Sequence, residues 1–202
     1  MKKLINSESH RKWLITFAIS ACLAIVYLDQ TGVALTLDNL RHELGLSSLA
    51  TQWVVNAYLL MLAVFMLLGG CLADIFGHRK VFLLGLSIFL LASISCAIAA
   101  SSWWLIMSRA LQGLGGSLLI PTSIVFLVQN TTREERGKMI AISISCASVF
   151  LAFGPIIGGL LTQFWNWRLI FWINIPVGVL SIFLVIVAVP KPIKKTSSSK
   201  ID

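Results

Sequence analysis

Charged residues are scarce in this sequence: they make up 12% of its 202 residues, whereas hydrophobic residues make up 57%. Soluble globular domains usually carry about 25% charged residues. So few polar side chains cannot cover the surface of a folded protein of this size in water. The composition therefore excludes an ordinary soluble domain and indicates a chain that is surrounded largely by lipid.

The few charges are clustered, which leaves long stretches that contain at most one charge: 13–37, 44–73, 81–132 and 139–190. A helix needs roughly 20 apolar residues to cross a bilayer, so the last two stretches can each hold two helices. The sequence predicts an all-α membrane protein with six spans, near residues 13–37, 49–70, 80–100, 103–129, 139–161 and 169–189. The apolar runs are continuous rather than alternating, which argues against barrel strands.

The basic residues fall almost entirely on one side of these predicted spans. All but three of the 16 Lys and Arg residues lie in the tails 1–12 and 191–202 or in the loops after the second and fourth spans. Segments rich in Lys and Arg stay in the cytoplasm. The pattern predicts a protein of the inner (plasma) membrane with both ends in the cytoplasm. It also accounts for the net charge of +8, so no nucleic-acid partner is implied.

Several classes of site are missing from the sequence. The four cysteines are far apart in or beside apolar spans, which excludes a disulfide framework and a clustered metal site. No nucleophile–base set, phosphate-binding loop or pore-lining ring appears, so neither an enzyme, a cofactor nor a channel is predicted. A lipoprotein signal ending before Cys22 is an alternative for the first span, but the apolar helix continues well beyond it.

Two ionisable residues lie inside predicted spans: Asp29 in the first and Arg109 in the fourth. A charge at a helix centre costs about 2.5–3.5 kcal/mol on insertion scales, and such residues commonly mark ion or proton paths. Low polarity disfavours the charged carboxylate and a nearby cation favours it, so Asp29 suits proton coupling. A purely structural pairing between helices is the alternative. Polar neighbours that could line a cavity are Gln30, Thr31 and Gln112.

A second pattern lies in the predicted fifth span, where Gly154, Pro155, Gly158 and Gly159 interrupt an apolar run. Pro155 removes the helical hydrogen bond to residue 151 and predicts a bend. Neighbouring helices can satisfy the freed group in lipid, and the glycines allow close approach of another backbone.

A third pattern is the loop after the second span, whose notable residues are Gly70, Asp74, Gly77, Arg79 and Lys80. Gly77 permits a positive φ in a tight turn. Asp74 can match the positive end of the next helix, and the basic pair can anchor at lipid headgroups.

This loop resembles the G-x-L-A-D-x-x-G-x-R-K signature of the major facilitator superfamily. Other stretches resemble motifs of its fourteen-helix drug:proton antiporter branch, in the expected order: Leu28 to Thr31, Gln52 to Leu60, Arg109 to Gly116, Gly154 to Gly159 and Trp167 to Pro176. The sequence departs from the branch at Ala34, Asp38, Ile75, His78 and Phe150.

The resemblance implies one six-helix bundle made of two inverted three-helix repeats over residues 13–190. It implies that Asp29 takes up and releases a proton, that Arg109 tunes its binding, and that Asp74 and Arg79 lock the outward-facing state. A small-molecule substrate would bind between this bundle and a second one of six to eight helices. The expected function is proton-coupled efflux of drugs or other small molecules.

The resemblance also implies more helices than this chain supplies. Residues 191–202 would then be a truncated loop between bundles, and the chain an N-terminal half. Two alternatives are one half of a split or homodimeric carrier, and a six-helix protein with a structural or regulatory role.

Overall fold

The computed structural model describes residues 8–188, and within that range the chain forms helices and turns without a strand. Six helices are long and apolar enough to cross a membrane, as predicted. We call them the first to sixth spans, and their main helices are Glu8–Gly32, Ser48–Phe76, His78–Ala97, Ser102–Gln129, Arg136–Phe164 and Asn174–Ala188. The predicted tail 191–202 and residues 1–7 lie outside the described residues.

Short elements extend two of these spans. The first continues through a 3₁₀ turn, Val33–Thr36, into the helix Leu37–Leu44, which ends at Gly45 with a φ of 61°. The sixth begins with the helix Leu169–Trp172, separated by Ile173 from its main helix. Pro176 explains this interruption, because proline has no N–H to bond the carbonyl four residues earlier.

Serine hydroxyls fix where the second and fourth spans begin. Ser47 accepts a hydrogen bond from the Ala50 N–H at 3.2 Å, and Ser101 accepts one from the Trp104 N–H at 3.3 Å. Each hydroxyl satisfies a backbone donor that the first helical turn leaves free. Because successive spans cross in alternate directions, the second and fourth start at the same end of the bundle, and both use the same capping chemistry.

Helix packing in the bundle repeats after three spans. The first span packs mainly on the fifth and sixth, and the fourth packs mainly on the second and third. Because each unit has three spans, the second unit starts on the opposite side of the membrane from the first. The pattern fits two inverted three-helix repeats and places the first and fourth spans in equivalent positions.

The spans differ in how much of their surface the bundle covers. In the most apolar window of each, 67% of residues are buried in the first span and 61% in the fourth, against 11% in the second and 17% in the fifth. The first and fourth spans are therefore central, and the second and fifth present broad apolar faces outward.

Side-chain bonds tie the connecting segments together at each end of the bundle. At the end that holds residue 12, the Lys12 ammonium donates to both carboxylate oxygens of Glu135 at 2.6 and 2.7 Å. This hydrogen bond holds the pKa of Glu135 below its ordinary value. At the other end, Glu43 bonds Trp167 and Arg168, which joins the loops after the first and fifth spans.

Candidate functional site

The carboxylate of Asp29 and the guanidinium of Arg109 form an ion pair in the centre of the bundle, through Oδ2 and Nη1. Both side chains are fully buried. They come from the first and fourth spans, the two central helices that the repeat makes equivalent. Pairing offsets the cost that either charge would carry alone at this depth.

Gln112 closes this pair into a ring of hydrogen bonds. Its Oε1 accepts from Arg109 Nη1 at 2.8 Å, and its Nε2 donates to Asp29 Oδ1 at 3.0 Å. Gln112 follows Arg109 by three residues, so both side chains lie on the same face of the fourth span. The amide thus contacts both charges at once and fixes their relative position.

Asn174 of the sixth span adds a third donor to Asp29. Its Nδ2 lies 3.2 Å from Asp29 Oδ1 and 2.9 Å from the Ser93 hydroxyl of the third span. The Ser93 hydroxyl in turn donates to the Phe171 carbonyl at 2.9 Å. A chain of hydrogen bonds therefore runs from Asp29 to the backbone beside the interruption at Ile173.

The second span holds Arg109 from the other side. Arg109 Nε donates to the Val54 carbonyl at 3.2 Å, and its guanidinium lies 4.3 Å from the centroid of the Tyr58 ring. The Phe171 ring lies 5.8 Å from the same group. A cation over an aromatic face is stabilised by the negative face of the ring, so Arg109 keeps favourable contacts beyond its bond to Asp29.

The donors around Asp29 match an ionised carboxylate. Arg109, Gln112 and Asn174 all present N–H groups to its two oxygens, and N–H groups cannot accept a proton from a carboxylic acid. Among the described residues, Arg109 Nη2 and Asn174 Oδ1 are buried without a hydrogen-bond partner. Every hydrogen bond to the Asp29 carboxylate therefore comes from an N–H donor. Arg109 Nη2 and Asn174 Oδ1 could each form one further hydrogen bond.

The other two polar residues predicted beside Asp29 lie outside this ring. Thr31 bonds backbone instead: its hydroxyl lies 3.1 Å from the carbonyls of Tyr27 and Leu151. Gln30 is half-buried, and no hydrogen bond between its side chain and the cluster occurs within the described part of the chain. Gln112 alone of the three is bonded to both Asp29 and Arg109.

The predicted glycines of the fifth span pack against the first span. An added Cβ at Gly158 would collide with the backbone of Gly32, and one at Gly154 would collide with the Thr31 hydroxyl. Gly159 has more room, because its nearest neighbour would be Leu35 at 3.6 Å. Pro155 lies within the continuous helix Arg136–Phe164.

The predicted loop motif lies at one end of the bundle, away from Asp29. Gly77 has a φ of 93° and separates the second span from the third. Asp74 Oδ1 lies 3.4 Å from His78 Nε2, and no ion pair joins it to Arg79 in the part of the chain that the structure describes. Gly70 is half-buried and Lys80 is exposed.

Sequence reasoning assigned no role to Asn174, Ser93 or Tyr58. All three are neutral, and none lies close in sequence to Asp29 or Arg109, the two charges within the spans. A search for amides within apolar runs would have found Asn174, which stands between Ile173 and Ile175. No comparable signal separates Ser93 from the other serines of the third span. Within residues 11–188, no group of His, Cys, Asp and Glu side chains could hold a metal ion.

Residues 19–202 match the family model described as Major Facilitator Superfamily. Over 84% of its length the chain is 38% identical to the cephamycin export protein CmcT of Amycolatopsis lactamdurans, of which it covers 35%. It is 37% identical over 82% of its length to the methylenomycin A resistance protein of Bacillus subtilis, covering 35% of that protein. It is 31% identical over 95% of its length to the riboflavin transporter RibZ of Clostridioides difficile, covering 42%. The chain spans less than half the length of these curated relatives. It belongs to the major facilitator superfamily.

Proposed function

We propose that this chain is the N-terminal bundle of a proton-coupled exporter of small molecules, with Asp29 as the group that carries the proton. The observation that carries the proposal is the buried Asp29–Arg109 ion pair, which Gln112 and Asn174 complete. A buried carboxylate that is balanced by a single cation changes the net charge of its surroundings when it gains a proton.

The coupling follows from that change of charge. While Asp29 is ionised, it neutralises Arg109 and holds the first and fourth spans together through direct bonds. A proton on Asp29 leaves the Arg109 charge unbalanced at a depth where an unpaired charge is costly. The protonated form therefore favours a rearrangement that brings Arg109 to water or to another partner. Alternation between these two arrangements couples proton movement to exposure of a substrate site.

The second and fifth spans supply the surface on which such a rearrangement would act. They are the least covered spans of the bundle, and they occupy equivalent positions in the two repeats. Leu67 of the second span is 80% exposed. We propose that a second bundle, either another chain or another copy of this one, packs on these faces and that the substrate binds between the bundles.

The relatives indicate the class of substrate. Two of them are described as exporting, or conferring resistance to, antibiotics, and one as a riboflavin transporter. We extend to this chain the coarser property that they share, movement of small organic molecules across a membrane. The proposed location is the inner membrane, with the Lys12 end of the bundle facing the cytoplasm.

Transport in vesicles tests the proposal. The full chain is reconstituted in liposomes with an imposed pH gradient, and proton uptake and dye movement are measured together. We expect Asp29→Asn to abolish proton-coupled movement, whereas Asp38→Asn, which changes an exposed acidic residue of the same extended span, leaves it intact. Movement with unchanged proton dependence in Asp29→Asn would contradict the assignment.

The same preparation tests for the second bundle. In a variant without the native cysteines, a single cysteine introduced by Leu67→Cys lies on the exposed face of the second span. Leu86→Cys in the same background, at a fully buried position of the third span, is its control. Cross-linked dimers through residue 67 alone would support pairing of two copies. If the chain moves dye without forming dimers or capturing a partner, the requirement for a second bundle is refuted.

A further inference from the structure

We propose that Asn174 is a positioning residue that adapts to both protonation states of Asp29, presenting its NH₂ group to the ionised acid and its carbonyl to the protonated acid. This inference rests on the proposed role of Asp29 as the proton carrier. It assigns to the sixth span a part in coupling that neither the sequence motifs nor the comparisons give it.

In the side-chain amide of Asn174, the nitrogen is hydrogen-bonded, whereas the oxygen is not within the described part of the chain. Its Nδ2 serves two acceptors, Asp29 Oδ1 at 3.2 Å and Ser93 Oγ at 2.9 Å. Its Oδ1 is buried and has no partner among the described residues, and the whole side chain is inaccessible to solvent. Rotation of this amide by half a turn therefore breaks no bond at its oxygen.

Protonation of Asp29 makes the present arrangement unfavourable. A carboxylic acid donates through its O–H and needs an acceptor, but the groups that face Asp29 are N–H donors. Half a turn of the Asn174 amide places Oδ1 where Nδ2 was, so that it can accept from Asp29 O–H. The proton itself stays on Asp29, and only hydrogen bonds change.

Gln112 cannot make the same exchange without loss. Its Oε1 already accepts from Arg109 Nη1 at 2.8 Å and lies 3.6 Å from the Cys96 sulfur. Turning this amide would place its NH₂ group against the guanidinium, donor against donor. Of the two amides bonded to Asp29, only Asn174 is free to turn.

Rotation of the Asn174 amide transmits the protonation of Asp29 to the short helix at the start of the sixth span. The Ser93 hydroxyl accepts from Asn174 and donates to the Phe171 carbonyl at 2.9 Å. When Asn174 presents its oxygen, the Ser93 O–H swings toward that oxygen and releases Phe171. Phe171 lies in the short helix Leu169–Trp172, two residues before the interruption at Ile173. Protonation of Asp29 thus removes a bond that ties the third span to the sixth.

Charged or titratable groups face Asp29 from three of the spans packed around it. The titratable or charged groups that face it are Arg109 of the fourth span, Tyr58 of the second and Cys96 of the third. The ordinary titrations of all three lie above neutral pH. The sixth span contains no titratable residue, and those described in the fifth lie toward the Lys12 end.

Infrared spectroscopy of the full chain in lipid vesicles tests the proposal without requiring transport. The C=O stretch of protonated Asp29, assigned by its loss in Asp29→Asn, gives the pH at which half of Asp29 is protonated. We expect Asn174→Leu to raise the proton affinity of Asp29 about tenfold, because the charge-assisted bond lost by the ionised form is stronger than the neutral bond lost by the protonated form. Asn56→Leu, at an exposed position of the second span, is the matched control and should have no effect.

The infrared band of the Asn174 amide provides a second test. With ¹³C-labelled asparagine, the wild-type chain should show an amide C=O band that shifts on acidification, as a free carbonyl becomes hydrogen-bonded. That shift should be absent from Asn174→Leu and from Asp29→Asn. Ser93→Ala should raise the proton affinity of Asp29 by less than Asn174→Leu does, and should add nothing in the Asn174→Leu background.

The outcomes separate this inference from the proposed function. If the Asp29 band titrates but Asn174→Leu changes its midpoint by less than twofold, Asn174 has no such role and the proton carrier stands. If the Asp29 band does not titrate in the wild-type chain, the assignment of the proton to Asp29 fails. Should Asn174→Leu fail to fold, the midpoint in Ser93→Ala and the wild-type amide band decide: an unmoved midpoint with a fixed band overturns the inference.

Discussion

The Thr31 hydroxyl lies 3.1 Å from the Leu151 carbonyl, which is the acceptor that Pro155 deprives of its helical donor. In a regular helix, the N–H of residue 155 would bond this oxygen, but proline has no N–H. In lipid, water does not replace the missing donor. The first span therefore offers the fifth a donor at its proline, which the Leu151 carbonyl shares with the Tyr27 carbonyl, also 3.1 Å from the Thr31 hydroxyl.

We predict that Thr31→Val destabilises the bundle by about 0.6 kcal/mol, up to about 1.7 kcal/mol, the range measured for hydrogen bonds between helices in a membrane. Thr31→Ser keeps the hydroxyl and should cost less. The free energy of unfolding in mixed detergent micelles measures both. In a Pro155→Ala background the helix supplies its own donor, so Thr31→Val should there cost little. An equal cost in both backgrounds would show that the bond does not serve Leu151.

Two glycines near Pro155, Gly158 and Gly159, differ in how much room they leave for a side chain. A Cβ at Gly158 would overlap the Gly32 backbone, which cannot move aside without shifting the first span. We expect Gly158→Ala to cost about 1–3 kcal/mol, the usual range for overpacking. Gly159→Ala is the matched control, because its added Cβ would make an ordinary 3.6 Å contact with Leu35. Equal unfolding free energies for the two variants would contradict this account of the interface.

The sequence was sufficient to predict the spans because a span is a local property of composition. Charge-poor stretches of the required length can be counted directly. The gaps between the predicted spans at 101–102 and 162–168 overlap the loops at 98–101 and 165–168. The interruption at Ile173 was not predicted, although Pro176 marks it. The first span also extends farther than predicted at both ends, from Glu8 to a short helix that ends at Leu44.

The candidate site could be predicted less completely from the sequence than the spans. Asp29 and Arg109 stand out because charges are rare in apolar runs, but their pairing depends on how two distant helices pack. Asn174 and Ser93 are neutral, and polar residues of that kind commonly serve helix packing alone. Thr31 was predicted to line a cavity with Asp29 because the two residues are close in sequence. Neighbouring positions of a helix face different directions, however, and the Thr31 hydroxyl contacts the fifth span instead.

The Lys12–Glu135 pair predicts a pH dependence of stability. Its hydrogen bond to the Lys12 ammonium lowers the pKa of Glu135 from the ordinary value of 4.5. A depressed carboxyl pKa stabilises the fold above the unfolded-state value, and this contribution is lost as the pH falls through the folded-state value. Melting temperatures of the wild type and Glu135→Gln should differ above about pH 4.5 and converge in more acidic buffer. High salt should reduce the difference, and a gap that widens on acidification would contradict the prediction.

The proposed orientation can be tested with two exposed loop positions at opposite ends of the bundle. In a variant without the native cysteines, Ser101→Cys should react in intact cells with a maleimide that cannot cross membranes. Thr132→Cys, in the basic loop after the fourth span, should react only after the cells are permeabilised, because basic connections stay in the cytoplasm. The reverse pattern would contradict the proposed orientation, in which the Lys12 end faces the cytoplasm.

The last prediction concerns the end of the bundle that holds Glu43. Its Oε2 accepts from the buried Trp167 indole N–H at 2.5 Å, and its Oε1 binds Arg168. Arg168 also donates to the Ala99 carbonyl at 3.1 Å, so one carboxylate links the loops after the first, third and fifth spans.

Removing this carboxylate should loosen all three loops together. We expect Glu43→Ala to cost about 1–3 kcal/mol, because a buried N–H that loses its acceptor carries the full cost of desolvation. Trp167→Phe removes that donor while keeping an aromatic ring, so Glu43→Ala in this background should cost less. Glu134→Ala, at an exposed acidic position of the opposite end, is the control. Unfolding free energies of the four variants measure the coupling. Additive effects of the changes at residues 43 and 167 would mean that the indole bond contributes nothing and that Arg168 alone holds the glutamate in place.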